Sequence, residues 1–506
     1  MKKSLFMMAA AALAMTACTS DDLKVTDQQV TNAEPVGIAF DTYVSNVTSG
    51  ATRAENSYQG YGPYTNTNMK DANEGFGVFA SYYSGTTKYE ALGDDTPASN
   101  FMYNQNVTFD GTVWSYSPLL YWPNQTSKDG ATDGQTDSQT GNTAQTDILD
   151  RVSFFAYAPY LPIVDDKTNG LDKENGKVYG EYDEDNDAAV QKTVGVTEMI
   201  SNTAAKVPEI KYVMGTEPKV CEDLLWAVAP YGGLNYTAVN GTPVKIDYGT
   251  SYVDLIKPAA NTKIKFLFQH ALSALKMSIV AAIDQVAPDG KTLDDNTHIY
   301  VNYVKLTSET PSAASPTTGF ATSGTLSLLN RIEDGGGAIA NLPNWTETTQ
   351  VPLKIGATAG TDDVNITINP TLQSPKGTDG LYTEFTNTGV TNTEVGLFAN
   401  GTAGAALDDM LMFIPVLPAG YTYAGAAALA VNLEIDYDVV TQSANVDGEQ
   451  VKVNNVIRKR IQLPKYRNGR IYKLKLILGV SSVQFEAEAA DWTTDEQDID
   501  LPRNLD

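Results

Sequence analysis

Apolar and polar positions alternate with a period of two along much of the chain, the pattern of strands buried on one face. In VGIAFDTYV, residues 36 to 44, Val36, Ile38, Phe40 and Val44 share a side. In DVNITINP, Val364, Ile366 and Ile368 do the same. NLEIDYDVV sets Leu433, Ile435, Tyr437 and Val439 against Glu434, Asp436 and Asp438, and IYKLKLIL sets Tyr472, Leu474, Leu476 and Leu478 against Lys473 and Lys475. The last alternating segment, SSVQFEAEAADW, places Val483, Phe485, Ala487 and Ala489 on one face ahead of Trp492. Helical spacing is almost absent, and FQHALSAL, residues 268 to 275, reads as the join between two strands. With 40 Gly and 23 Pro punctuating many short strands, the pattern predicts an all-β protein built as sandwiches.

A chain of 506 residues exceeds one ordinary hydrophobic core, so two domains are expected. The division is placed in LIKPAANTK, residues 255 to 263, giving an N-terminal domain over 54–258 and a C-terminal domain over 259–506. Residues 124 to 147 offer only Ala to a core and read as a solvated loop, as does the acidic stretch LDKENGKVYGEYDEDNDAA.

Composition narrows the chemistry. The net charge of −26 excludes nucleic acid as a partner, because phosphate binding relies on clustered Lys and Arg. His270 and His298 are the only histidines, too few for the usual zinc ligand sets, and each reads as satisfying a local hydrogen bond. No nucleophile elbow, metalloprotease or phosphate-loop motif occurs. GFGVFA fits a dinucleotide pattern only formally: MKDANE before it is not a strand, and VFASYYSG after it is β-prone. DEDND lacks the glycine and terminal glutamate of a calcium loop. No catalytic, cofactor-binding or metal site is therefore expected. The 61 acidic residues make paired carboxylates uninformative about glycosidase chemistry.

The N-terminal segment has the form of a secretory signal, residues 1 to 17: Lys2 and Lys3, then LFMMAAAALAM, then MTAC ending at Cys18. A cysteine directly after a small-residue cleavage site resembles a bacterial lipobox, in which the thiol is acylated, although Met15 stands where Leu is commonest. An ordinary signal with an incidental Cys18 is the alternative. Past Cys18 the sole cysteine is Cys221, which leaves no intrachain disulfide framework in the mature chain and reads as a small buried hydrophobe. AGAAALAVNLEIDYDVV is interrupted by acids too soon to span a bilayer.

Arg53 is the first arginine of the chain, and the next is Arg151. It stands in the small, polar stretch SNVTSGATRAENSYQG, just beyond the strand of Val36, Ile38, Phe40 and Val44. Its plain reading is a surface arginine. The order of parts, namely cysteine, strand, lone arginine, long β region and final alternating strand, resembles the fimbrillins of type V pili from Bacteroidales, in the fimbrillin-like branch. The resemblance lies in IAFDTYV then ATRA, in GFGVFASYY and NFMYNQNVTFDGTVWSYSPLLYWPN, in RVSFFAYAPY, in DLLWA before IKFLFQHALSAL, and in NGRIYKLKLILGVSSVQFEA.

The resemblance implies two transthyretin-like β-sandwich domains after a lipoprotein signal peptide. It further implies export as an outer-membrane lipoprotein with palmitate on Cys18, aided by SDD just after it, and a propeptide over 18–53. An arginine-specific protease would cut between Arg53 and Ala54, freeing the first strand with the lipid. The final strand, 483–492, would be donated to another fimbrillin subunit in a cell-surface fimbrium that supports adhesion to a host or bacterial surface ligand. For that strand the alternative is that it closes its own domain. For the whole chain the alternatives are a tip adhesin, or a non-polymerising surface lipoprotein that binds glycan through part of its supply of 27 Tyr and 5 Trp.

Overall fold

The computed structural model describes residues 36–491 apart from 45–63, 72–73, 86–88, 90–98, 124–148, 165–169, 184–187, 201–206, 240, 283–295, 309–319, 331–341, 357–363, 400–405, 417–428, 444–448, 465 and 480–482. The alternating segments are strands, and the chain is all-β as its pattern predicts. The helix Asn66–Met69 is one turn, started by Thr65, whose hydroxyl accepts from the Asn68 amide.

Along the first half run β1 (Ala39–Val44), β2 (Phe76–Gly85), β3 (Met102–Phe109), β4 (Trp114–Ser115), β5 (Leu149–Ala158), β6 (Gly195–Ile200), β7 (Glu209–Val213), β8 (Leu225–Val228), β9 (Tyr252–Leu255) and β10 (Lys263–His270). Eight of these form one sheet in the order β1-β10-β8-β5-β2-β3-β4, with β9 paired to β5. One side of this sheet holds an aromatic core that includes Phe40, Phe76, Phe154, Phe266 and Trp114. Its other side contributes Phe79, Phe155, Tyr157 and Trp226 to a second, larger core. Burial on both faces explains the apolar runs FFAYA of β5 and LWAV of β8, where alternation would serve only a one-sided strand.

The second half supplies β11 (Ser273–Ala281), β12 (Thr297–Ser308), β13 (Phe320–Ser327), β14 (Leu353–Gly356), β15 (Val364–Ile366), β16 (Leu411–Pro415), β17 (Leu429–Gln442), β18 (Gln450–Leu463), β19 (Arg470–Leu478) and β20 (Val483–Asp491). One sheet runs β6-β7-β13-β16-β11-β19-β20, and a five-stranded sheet runs β15-β14-β12-β17-β18. The larger core lies between them, with Leu275, Met277 and Ile279 of β11 and Leu433, Ile435 and Tyr437 of β17. The chain changes sheet at Ala271 and Leu272, between β10 and β11, so FQHALSAL does join two strands. That change lies just past 255–263. β6 and β7, from the first half, cross to the second sheet, where β7 pairs antiparallel with β13.

GFGVFA opens β2. Gly75 before it has φ +85°, and a Cβ there would stand 2.3 Å from the Val107 carbonyl oxygen, so the glycine serves strand packing. One expected solvent position is instead buried: Asp438 of β17 is 1% exposed, because residues 376 to 385 fold over it.

Candidate strand groove

β1 lies at the end of its sheet path, parallel to β10, with Phe40 opposite Ile264, Asp41 opposite Lys265 and Val44 opposite Phe268. Ile38, Phe40 and Val44 are buried, and so is Thr42; Val36 is half-buried. The alternation therefore continues through Thr42, a polar residue on the apolar face. Its hydroxyl oxygen is buried without a hydrogen-bond partner.

Just before β1, the opposite side of the chain is clasped by residues 116 to 122. The Ile38 amide donates to the Leu120 carbonyl at 2.9 Å, and the Trp122 amide donates to the Val36 carbonyl at 2.9 Å. The Tyr116 hydroxyl donates to the Ile38 carbonyl at 2.9 Å, and burial pushes its pKa up to about 12, so it stays a donor over the physiological range. Leu119 packs over Gly37, 3.5 Å from where a Cβ would stand.

Four rings enclose Phe40. Tyr116 is 5.5 Å away between centroids, Phe266 is stacked at 5.7 Å, and Phe154 and Phe76 meet it edge-on at 6.0 and 6.3 Å. These separations lie in the favourable range for aromatic pairs. Each wall comes from a different element: β2, β5, β10 and the 116–122 clasp. The site is thus an aromatic cage closed by the edge strand itself.

β20 occupies the far end of the second sheet, antiparallel to β19 over its whole length. In the backbone register Glu486 stands opposite Lys475, Glu488 opposite Lys473 and Asp491 opposite Arg470. Lys475 also pairs with Glu394 at 2.9 Å, and these carboxylates, Glu394 foremost, raise its pKa. Ala489 packs partly against the larger core, whereas Ala487 is exposed. Cys18, Arg53 and Ala54 lie outside the described residues, as does the loop 124–147.

The remaining candidate groups are held in structural pairs. His270 Nδ1 lies 2.7 Å from Asp223 Oδ2, and the same oxygen accepts the Tyr64 amide at 2.9 Å. The Asn468 side chain donates to the His270 carbonyl at 2.8 Å, so this cluster ties the segment after 45–63, β8, the β10–β11 corner and the start of β19 together. His298 stacks on Tyr300 at 5.6 Å. Cys221 is buried, with its pKa pushed up to about 12 by that burial, which leaves it unreactive. Among the described residues no group of three or more His, Cys, Asp or Glu is placed to hold a metal ion, and no helix is long and apolar enough to cross a membrane. Period-two reading found the apolar side chains of β1; it missed Thr42, the clasp and the cage, whose signal was the aromatic density of WSYSPLLYW.

No model of a known protein family matches the chain. Over 99 residues it is 33% identical to the fimbrium subunit Fim1C of Phocaeicola vulgatus, a match covering 20% of this chain and 20% of that relative. Among solved structures, a fimbrial protein from Bacteroides vulgatus is similar with a TM-score of 0.41 and 16% identity, over 90% of this chain and 100% of that one. A candidate cell adhesion protein from Bacteroides uniformis follows with a TM-score of 0.31 and 12% identity, over 91% and 99% of the two chains. Over those 99 residues the chain is thus similar to a fimbrium subunit, in line with the fimbrillin motifs that its strands resemble.

Proposed function

We propose that the chain is a structural subunit of a fimbrium, a pilin whose precursor is held at the outer membrane by lipid on Cys18 and matured by cleavage between Arg53 and Ala54. The observation that carries this reading is β1, an edge strand that plugs an apolar cage and whose C-terminal end leads into the segment containing Arg53. A cut after Arg53 places Cys18 and β1 on one fragment. Loss of that fragment uncovers the cage and a row of β10 backbone donors and acceptors, which together form a template for a strand of another subunit. Ile38, Phe40 and Val44 each contribute roughly 1.5–3 kcal/mol of burial, so an exposed cage strongly favours refilling. The donated strand in this reading is β20, and the partners are further fimbrillin subunits and an arginine-specific protease. The domains over 54–258 and 259–506 would be its two sandwiches.

The test is mass spectrometry of fibres sheared from cells. The expected N-terminus is Ala54, and Arg53→Gln is expected to leave monomers anchored and abolish fibres. Assembled subunits that still begin at lipidated Cys18 would overturn the reading. A tip adhesin or a monomeric surface binder of glycan is the second reading, favoured by Tyr231, which is 68% exposed and stands edge-on to Tyr248 at 5.8 Å. Removing residues 483–506 separates the two: a pilin stops polymerising, whereas a monomeric binder keeps its ligand.

A further inference from the structure

β1 and β20 carry the same residue pattern. Ile38, Phe40, Asp41, Thr42 and Val44 correspond, at constant spacing, to Val483, Phe485, Glu486, Ala487 and Ala489. Resting on the pilin reading, we infer that β20 of a second copy enters the β1 groove parallel to β10 in one register, the one that seats Phe485 in the cage now filled by Phe40.

Three features of the groove select this register. The cage is lined by four rings at 5.5 to 6.3 Å from the Phe40 centroid, a space shaped around a phenyl ring, and Phe485 is the only aromatic residue in β20. With Phe485 at the position of Phe40, Glu486 takes that of Asp41, opposite Lys265, so the acid of the incoming strand faces a base as it does opposite Lys475 at home. Ala487 then takes the position of Thr42. The buried, unpartnered hydroxyl of the resident strand is absent from the replacement, which removes a desolvated polar group from the core.

The competing register shifts the strand by two residues. It sets Glu486 and Glu488 opposite Lys263 and Lys265, which is richer in charge pairs, but puts Ala487 into the cage. A methyl group there leaves the four rings facing a void, and voids of aromatic size are costly in close-packed cores, whereas exposed charge pairs on a sheet face are worth little. A one-residue shift turns the whole apolar set outward. The cage therefore outweighs the charges.

Two full-length variants, each cleaved after Arg53, test the register. One copy carries Lys265→Cys and the other carries Glu486→Cys, which leaves Phe485 and the cage intact; Cys221 is buried and Cys18 leaves with the propeptide, so background cross-linking is low. Under mild oxidation the mixed pair is expected to form an intermolecular disulfide at a yield about tenfold above the pair using Glu488→Cys, because only the register that seats Phe485 in the cage sets position 486 opposite Lys265. In parallel, Phe485→Tyr is expected to support polymers and Phe485→Ala to reduce their detergent-resistant fraction about tenfold. Polymers that cross-link best through Glu488→Cys overturn the register and leave the pilin reading intact. Absence of any polymer from the cleaved parent chain overturns the pilin reading itself.

Discussion

Phe40 and Thr42 sit two residues apart on the same face of β1, and opposite outcomes are expected on replacing them. Phe40→Ala in the uncleaved chain empties the four-ring cage and is expected to cost about 3–5 kcal/mol, read as a fall in the denaturant midpoint with little change in slope. Thr42→Val keeps the shape and removes the buried, unpartnered hydroxyl, so it is expected to stabilise by about 1 kcal/mol in the same titration. A destabilising Thr42→Val would mean that the hydroxyl has a partner in solution. Asp438 is a different case. Burial opposes its ionisation, but hydrogen bonds from Lys376, Asn454 and Tyr382 more than offset this and hold its pKa below the ordinary carboxylate value. A depressed folded-state pKa contributes stability that is complete above the unfolded value of about 4 and is lost as pH falls through the folded value. Asp438→Asn is therefore expected to flatten the acid side of the melting-temperature profile below about pH 4.

At the scale of single strands, cleavage should act locally. β1 shields only the outer edge of β10, because β10 keeps its antiparallel partner β8 on the other side. Removing β1 is accordingly expected to deprotect to amide exchange the β10 groups that bonded to it, and to raise binding of a hydrophobic dye, while β11, β17 and β19 keep their protection. Global loss of protection would mean that β1 is needed for folding and is not a separable plug. Strands of this kind were legible because a one-sided strand writes its burial into the sequence every second residue, as in NLEIDYDVV and IYKLKLIL. Their partners were not. The parallel pairing of β1 with β10, and the crossing of β6 and β7 to the second sheet, join segments far apart in sequence, and local periodicity carries no information about such pairs. Asp438 shows the same limit on a smaller scale: it has the spacing of a solvent-facing residue and is covered by a distant loop. The cage needed four elements in place before Phe40 could be distinguished from any other strand phenylalanine.

Over the whole molecule, the proposed assembly sets net charge against apolar burial, and the two act over different distances. Residues 54–506 hold 31 basic and 56 acidic residues, so a chain cleaved after Arg53 would carry −25. One stretch runs against this: residues 451–470, covering most of β18 and the start of β19, contain seven basic residues and no acid. Its Arg458 is already neutralised in part by Glu434 at 2.6 Å, so the strip cannot cancel the repulsion between whole subunits. Strand insertion would be felt only at contact. Encounter is governed by the net charge, whose reach shrinks from about 30 Å at 0.01 M salt to about 8 Å at 0.15 M. Polymerisation of the cleaved chain, followed by light scattering, is therefore expected to accelerate about tenfold over that range. The detergent resistance of finished polymers should stay nearly unchanged, since buried aromatic contacts are not screened. A rate that falls with added salt would show instead that the basic strip steers subunits together, and that local complementarity, not net charge, governs how these acidic chains meet.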